Sequence, residues 1–177
     1  MSQKPKSVIV VDMQKDNVGR YCLHIIPKIR FLLEKAREKG ILVIYSCDTR
    51  FVDDKIFVRL NMKPHTLKGS EGWKIIDELK PSEKDFIVEK PMLSAFFSSN
   101  LDFLLRERGV KELIVCGVRT EGCVLKTVLD AFELGYDVTI PVDCVASPSP
   151  ENHESTLKIL DLLKIRKTVV EDLVKEF

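Results

Sequence analysis

Three residues in this chain could act together on a small electrophile. Cys123 stands in "VCGVRTEGCVLKTVLDAF" (115–132), where an apolar run stops at Gly117, a short polar turn follows, and an amphipathic helical pattern begins. Unpaired N–H groups and the positive dipole end at a helix start favour a thiolate, so Cys123 reads as a nucleophile. Asp12 closes the apolar run "SVIVVD" (7–12), where a carboxylate can serve a thiol as general base. Lys90, between Glu89 and Pro91, offers a cation that stabilises both anions and the charge formed during reaction. Each residue also has a plainer reading. A cysteine is tolerated in a first helical turn, aspartate often caps a turn, and a single lysine is usually a surface residue.

These three positions share one property: each follows a short apolar run. The runs are "SVIVVD" (7–12), "ILVIYS" (41–46), "DFIVE" (85–89), "ELIVCG" (112–117) and "DVTIPVD" (137–143), with "KTVVE" (167–171) a late addition. Between them lie helical patterns at 27–40, 98–109, 122–135 and 149–163, with Pro27 and Pro150 near starts and Gly40 and Gly109 at stops. A further short helix is expected over "GSEGWKIIDEL" (69–79), inside an irregular stretch from Asp48 to Lys84. Strands apolar on both faces, alternating with helices, predict an α/β fold. It has three α/β/α layers in a Rossmann-like arrangement, around a central, mostly parallel sheet of about six strands. In such sheets ligands bind beyond the carboxyl ends of the strands. Asp12, Cys47 and Asp48, Lys90, the 117–123 turn and Asp143 all fall on that rim.

The bulk properties narrow the function classes. The 177 residues read as one domain, 1–177, with 45% hydrophobic and 31% charged residues. A net charge of +1 leaves no electrostatic footprint for nucleic acid or an anionic membrane surface. No apolar run is long enough for a membrane helix, and the N-terminus lacks a signal core, so a cytoplasmic location is expected. Five cysteines at wide spacing, without CxxC, argue against a disulfide framework or structural zinc. Cys116 and Cys144 read as core thiols. Asp48 and His65 are the metal-ligand candidates, but three histidines in all exclude a His-rich site. His24 and His153 receive no role, and Trp73 reads as core. Arg119 either meets a substrate carboxylate or points to solvent. No GxGxxG or P-loop follows the first strand, which disfavours a nucleotide-binding protein.

Three segments, "VIVVDMQKD" (8–16), "VEKPMLSAF" (88–96) and "VCGVRTEGCVLKTVLDAFELGYDVTIPVDCVAS" (115–147), resemble the isochorismatase-like cysteine hydrolases. That superfamily includes nicotinamidases, N-carbamoylsarcosine amidases and isochorismatases. The resemblance runs from about residue 7 to about 170. It implies an Asp-Lys-Cys triad at Asp12, Lys90 and Cys123, the residues reached independently from the strand ends. It also implies a cis Val118–Arg119 peptide and an oxyanion hole built from the backbone N–H groups of Arg119 and Cys123. A homo-oligomer, dimer or tetramer, is the family expectation.

The chain departs from the nicotinamidase pattern at two places. Where that pattern has a metal motif resembling Asp-x-His, this chain has Asp48-Thr49-Arg50, with His65 downstream. A cation in a ligand position argues against zinc, so no cofactor is expected, and Asp48 and His65 stand as vestigial candidates. Where nicotinamidases carry a stacking aromatic after the first aspartate, this chain has Asn17. Isochorismatases need no cysteine, so Cys123 favours C–N hydrolysis through a thioester. With Asn17, Arg50 and Arg119 as substrate-binding residues, the expected substrate is a small amide or ureido compound bearing a carboxylate, as an N-carbamoylsarcosine amidase-like enzyme would take. Nicotinamidase, isochorismatase-type hydrolysis and a non-catalytic binding member are the alternatives.

Overall fold

The computed structural model describes residues 5–177. Five strands form where the apolar runs predict them, β1 (Lys6–Val11), β2 (Leu42–Asp48), β3 (Phe86–Lys90), β4 (Glu112–Val118) and β5 (Asp137–Pro141), and β6 (Val145–Ala146) and β7 (Arg166–Thr168) complete the sheet. The helices are α1 (Ile26–Glu38), α2 (Lys55–Arg59), α3 (Leu101–Glu107), α4 (Leu125–Glu133), α5 (Pro150–Leu162) and α6 (Val170–Leu173). All ladders are parallel, in the order β3-β2-β1-β4-β5-β7, with β6 pairing the end of β4. Strands β1, β2 and β4 are buried almost throughout, whereas the edge strand β3 alternates buried and open positions. Two apolar clusters result, one on each face of the sheet. One centres on Ile29, Leu32, Leu33 and Tyr45, the other on Leu101, Leu105, Val124 and Val128. These are the outer layers of the predicted α/β/α arrangement.

Strand order reverses direction between β1 and β4, which opens a crevice at their carboxyl ends. Register decides what meets there. Val11 is level with both Ser46 and Gly117, and Asp48 is level with Lys90. Asp12, Asp48, Lys90 and the turn after β4 therefore converge on one rim. The close approach of β1 and β4 requires glycine. Gly117 has φ +116°, and a Cβ there would lie 2.1 Å from the Val11 carbonyl oxygen.

Some local expectations need correction. Residues 69–76 form no helix, and only a single 3-10 turn, Asp77–Leu79, follows. This segment instead runs as successive turns, ending in a bridge at Ile75, alongside the loop after β1: Lys15 N–H donates to the Lys74 carbonyl (2.9 Å), Asp16 N–H to that of Gly72 (3.0 Å), and Ile76 N–H to that of Met13 (3.1 Å). At Gly72 a Cβ would meet the Asp16 carboxylate at 2.1 Å and displace that side chain. The late strand is shorter than 167–171, because Val170 begins α6 with its N–H bonded to Asp143 Oδ1 (2.9 Å). Helix α2 and strand β6 are additions to the predicted pattern. Among the described residues no helix is long and apolar enough to cross a membrane.

Candidate active site

Lys90 is the centre of the rim. Its side chain is fully buried, and its Nζ lies 2.9 Å from Asp12 Oδ2, 3.5 Å from Cys123 Sγ and 3.9 Å from Asp48 Oδ1. It also donates to the Met92 carbonyl at 3.1 Å. A buried lysine is tolerated only when its charge is met, and here carboxylates, a thiol and a carbonyl surround it. Asp12 leaves β1 with φ +53°, and its Oδ1 accepts the Asp48 N–H at 2.9 Å. That geometry turns the carboxylate off the strand toward Lys90 and Cys123.

Cys123 lies in the irregular turn Thr120–Val124, which feeds directly into α4. It is the one cysteine of five that is not buried. The Val118–Arg119 peptide just before this turn is cis. The Arg119 carbonyl accepts the N–H groups of Gly122 (3.1 Å) and Val124 (3.2 Å), which closes the turn.

Burial, then the neighbouring Asp12 carboxylate, holds the Cys123 thiol above the usual thiol range, and Lys90 only partly opposes this. Asp12 is also raised, through burial first, with Lys90 lowering it and Asp48 raising it. Burial disfavours the Lys90 ammonium, but Asp12, Cys123 and Asp48 outweigh that and raise its pKa. Lys90 thus favours its charged form between a carboxylate and a thiol whose charged forms burial disfavours.

A cavity of about 240 Å³ opens on this group. It brings together Asp12, Cys123, Asn17, Asp48, Arg50, His65 and Arg119, every predicted site residue except Lys90, which lies beneath its floor. Its opposite wall is apolar, from Ile56, Phe57, Leu60 and Leu93. A larger cleft of about 1080 Å³ at the other end of the sheet holds no thiol and is remote from this chemistry.

A divalent cation does not fit the Asp48–His65 position. Arg50 Nε stands 2.7 Å from Asp48 Oδ1, an ion pair without a directed hydrogen bond, while Asp48 Oδ2 accepts from Thr66 Oγ1 at 3.0 Å. The guanidinium already occupies the electrostatic place of a cation. His65 lies with Nδ1 3.0 Å from the Lys63 carbonyl and its ring 5.4 Å from that of Phe57. Among the described residues no group of three His, Cys, Asp or Glu side chains could hold a metal. Arg50, predicted to bind substrate, lines the cavity but is itself buried between Asp48 and the Pro91 carbonyl. Arg119 is exposed at the cavity wall and reaches the Tyr21 hydroxyl, which donates to the Asn17 carbonyl at 2.7 Å.

Sequence reasoning misses several participants. Gln14 Nε2 donates to the carbonyls of Asp48 (2.9 Å) and Trp73 (2.7 Å), tying the loops around the site. His153, given no role, places Nδ1 2.9 Å from Thr120 Oγ1 and so anchors the Thr120–Val124 turn to α5. Glu121 also lines the cavity. Only its closeness to Cys123 in the chain signals this.

The chain matches the Isochorismatase domain family over residues 6–169. It is 35% identical to a "probable inactive nicotinamidase" of Arabidopsis thaliana, covering 90% of this chain and 88% of the relative. It is 31% identical to the ureidoacrylate amidohydrolase RutB of Caulobacter segnis, covering 84% and 75%. The solved N-carbamoylsarcosine amidase of Thermoplasma acidophilum superposes with a TM-score of 0.84 at 26% identity, covering 95% and 97%. With a family match across nearly the whole chain, and relatives aligned over most of their own length, the chain is a member of the isochorismatase family of hydrolases.

Proposed function

We propose that this protein is a cysteine hydrolase that cleaves the C–N bond of a small amide or ureido compound, with Asp12, Lys90 and Cys123 as its triad. One observation carries the reading: a single buried ammonium lies 2.9 Å from a carboxylate and 3.5 Å from the one accessible thiol, on the wall of a small cavity. A structural lysine needs a counter-ion but has no need of a thiol.

Substrate entry displaces water from the cavity and aligns a carbonyl carbon with Cys123. Asp12 takes the thiol proton as sulfur attacks, and Lys90 holds both groups in place while negative charge moves from carboxylate to sulfur to carbonyl oxygen. The N–H groups of Arg119 and Cys123 receive the oxyanion. The C–N bond breaks as Asp12 returns its proton to the leaving nitrogen, and a thioester remains. Water then attacks the thioester, giving its proton to Asp12. The C–S bond breaks, and the proton returns to sulfur. The upward shift of the Cys123 thiol, from burial and then Asp12, is in keeping with a proton transfer coupled to attack.

A ureido acid is the preferred substrate class. Two relatives act, by name, on ureidoacrylate and N-carbamoylsarcosine, both ureido acids. Arg119, with Asn17 beside it, is the better partner for the carboxylate, because Arg50 is already engaged by Asp48 and Pro91. The test is ammonia release from N-carbamoylglycine, N-carbamoylsarcosine and nicotinamide. Cys123→Ala should reduce turnover at least ~10³-fold with the fold intact. Residual activity above ~1% of wild type would remove Cys123 as nucleophile. Nicotinamide as best substrate, with a zinc requirement, would overturn the substrate class.

A further inference from the structure

We infer that Glu121 is the specificity-determining acceptor of this cavity, receiving an N–H of the substrate; this rests on the reading of the site as a C–N hydrolase for amide or ureido compounds. Glu121 sits in the nucleophile turn, between Thr120 and Gly122, and lines the same cavity as Cys123. Its Oε2 is buried and has no hydrogen-bond partner in the protein. The other two carboxylates on that wall are matched by cations, Asp12 by Lys90 at 2.9 Å and Asp48 by Arg50 at 2.7 Å. No ion pair or hydrogen bond to Glu121 is found among the described residues. The titratable group it influences is His153, whose imidazole is already bonded to Thr120 and whose pKa burial lowers. The structure records no ion pair or hydrogen bond between His153 and Glu121; the imidazole bonds Thr120 instead.

A buried acceptor left without a donor is unfavourable, and native proteins keep few of them. Glu121 lines the cavity, so a rotation about its side-chain bonds turns Oε2 toward a donor that the ligand brings. The chemistry of that donor follows from the site. Amide and ureido nitrogens carry N–H groups directly bonded to the carbonyl carbon that Cys123 attacks, so one lies close to the residue two positions before the nucleophile. Esters and fully N-alkylated amides bring none and would leave Oε2 buried and unpaired. Sites built to hydrogen-bond a substrate reject analogues that lack the partner group far more strongly than sites that merely fit by shape. Arg119 and Glu121 thus divide the recognition of a ureido acid, the arginine taking its carboxylate and the glutamate its N–H. Glu121 is placed to select substrate and takes no part in the bond-breaking steps.

The experiment pairs Glu121→Gln, which removes the charge, with Glu121→Leu, which removes the acceptor. Steady-state ammonia release from N-carbamoylglycine should show KM raised ~10-fold or more in Glu121→Leu, less in Glu121→Gln, with kcat within ~3-fold of wild type. The thermal midpoint of Glu121→Leu should stay level or rise, because an unpaired buried acceptor is gone. A midpoint lowered by more than ~3 °C would assign Glu121 a structural role and overturn the proposal. Binding is measured separately, by calorimetric titration of N-carbamoylglycine into Cys123→Ala protein with and without Glu121→Leu, and Kd should weaken ~10-fold or more. If wild type turns over the ureido acid and the Glu121 variants match it in KM and Kd, the Glu121 inference fails while the hydrolase reading stands. If binding depends on Glu121 but wild type releases no ammonia, the hydrolase reading fails and Glu121 keeps its role. Absence of ureido binding to Cys123→Ala protein overturns the inference outright.

Discussion

Replacing Lys90 by methionine isolates the central electrostatic feature of this site. The ammonium is fully buried and lies 2.9 Å from Asp12 Oδ2. At that separation the gross Coulomb attraction is ~6 kcal/mol with an effective dielectric constant of about 20. Desolvation of both ions offsets much of it, so removing one partner from a buried pair is expected to cost ~3–5 kcal/mol. In a chain of this length that lowers the thermal midpoint by ~6–20 °C. The pH dependence supplies the decisive sign. The folded-state pKa of Asp12 is already raised, through burial first, with Lys90 its strongest lowering influence. Without Lys90 it rises further. A carboxyl whose folded pKa is raised contributes stability that is present at low pH and lost as pH rises through the folded value. The deficit of Lys90→Met against wild type should therefore be larger at pH 8 than at pH 5. Urea denaturation at both pH values, read from midpoints at common slope, measures it. Adding Asp12→Asn should recover part of the stability at pH 8, since the unpaired charge is removed with it. A deficit below ~1 kcal/mol at pH 8, or one independent of pH, would refute the buried-pair argument.

Other outcomes follow from the same geometry. Because Asp12 raises the Cys123 pKa while Lys90 lowers it, Asp12→Asn should alkylate with iodoacetamide faster than wild type at pH 8 while losing turnover. Slower labelling would show that Asp12 promotes thiolate in the resting enzyme. Gly117→Ala should lower stability by more than ~3 kcal/mol in urea denaturation, because a Cβ 2.1 Å from the Val11 carbonyl forces β1 and β4 apart. A loss under ~1 kcal/mol would show that the strands adjust freely. Wild-type thermal midpoint should not move on addition of Zn²⁺, whereas Arg50→His, which removes the guanidinium beside Asp48, should become Zn²⁺-responsive. A wild-type shift of several degrees would contradict the reading of Arg50 as the resident cation.

Much of this architecture is legible in the amino-acid sequence. The apolar runs place five parallel strands to within a few residues, because a strand buried on both faces leaves an uninterrupted apolar signature. Parallel strands put their carboxyl ends on one rim, so Asp12, Lys90 and Cys123 can be assigned to a common site from their positions after those runs. Helix α2 is not legible: at five residues it is too short to show periodicity. The 69–76 segment misleads because its apolar residues match a helix equally well. Its turns are held in place by hydrogen bonds to residues 13–16, far away in sequence.

Residue types and local patterning thus specify the chemical groups and the end of the sheet on which they lie. Patterning encodes strand limits, and strand limits encode the rim. Three-dimensional packing alone settles which of those groups are paired and which are not. Lys90 and Cys123 are 33 residues apart and meet only through strand register and the turn after β4. The same packing gives Asp48 to Arg50, which engages that arginine although it lines the cavity, and leaves Glu121 Oε2 buried without a partner in the protein. Charge and hydrogen-bonding capacity are written in residue types, but the pKa of a thiol and the availability of a carboxylate depend on neighbours within a few ångströms. Those neighbours are brought together by long-range packing, which no local spacing in the chain records.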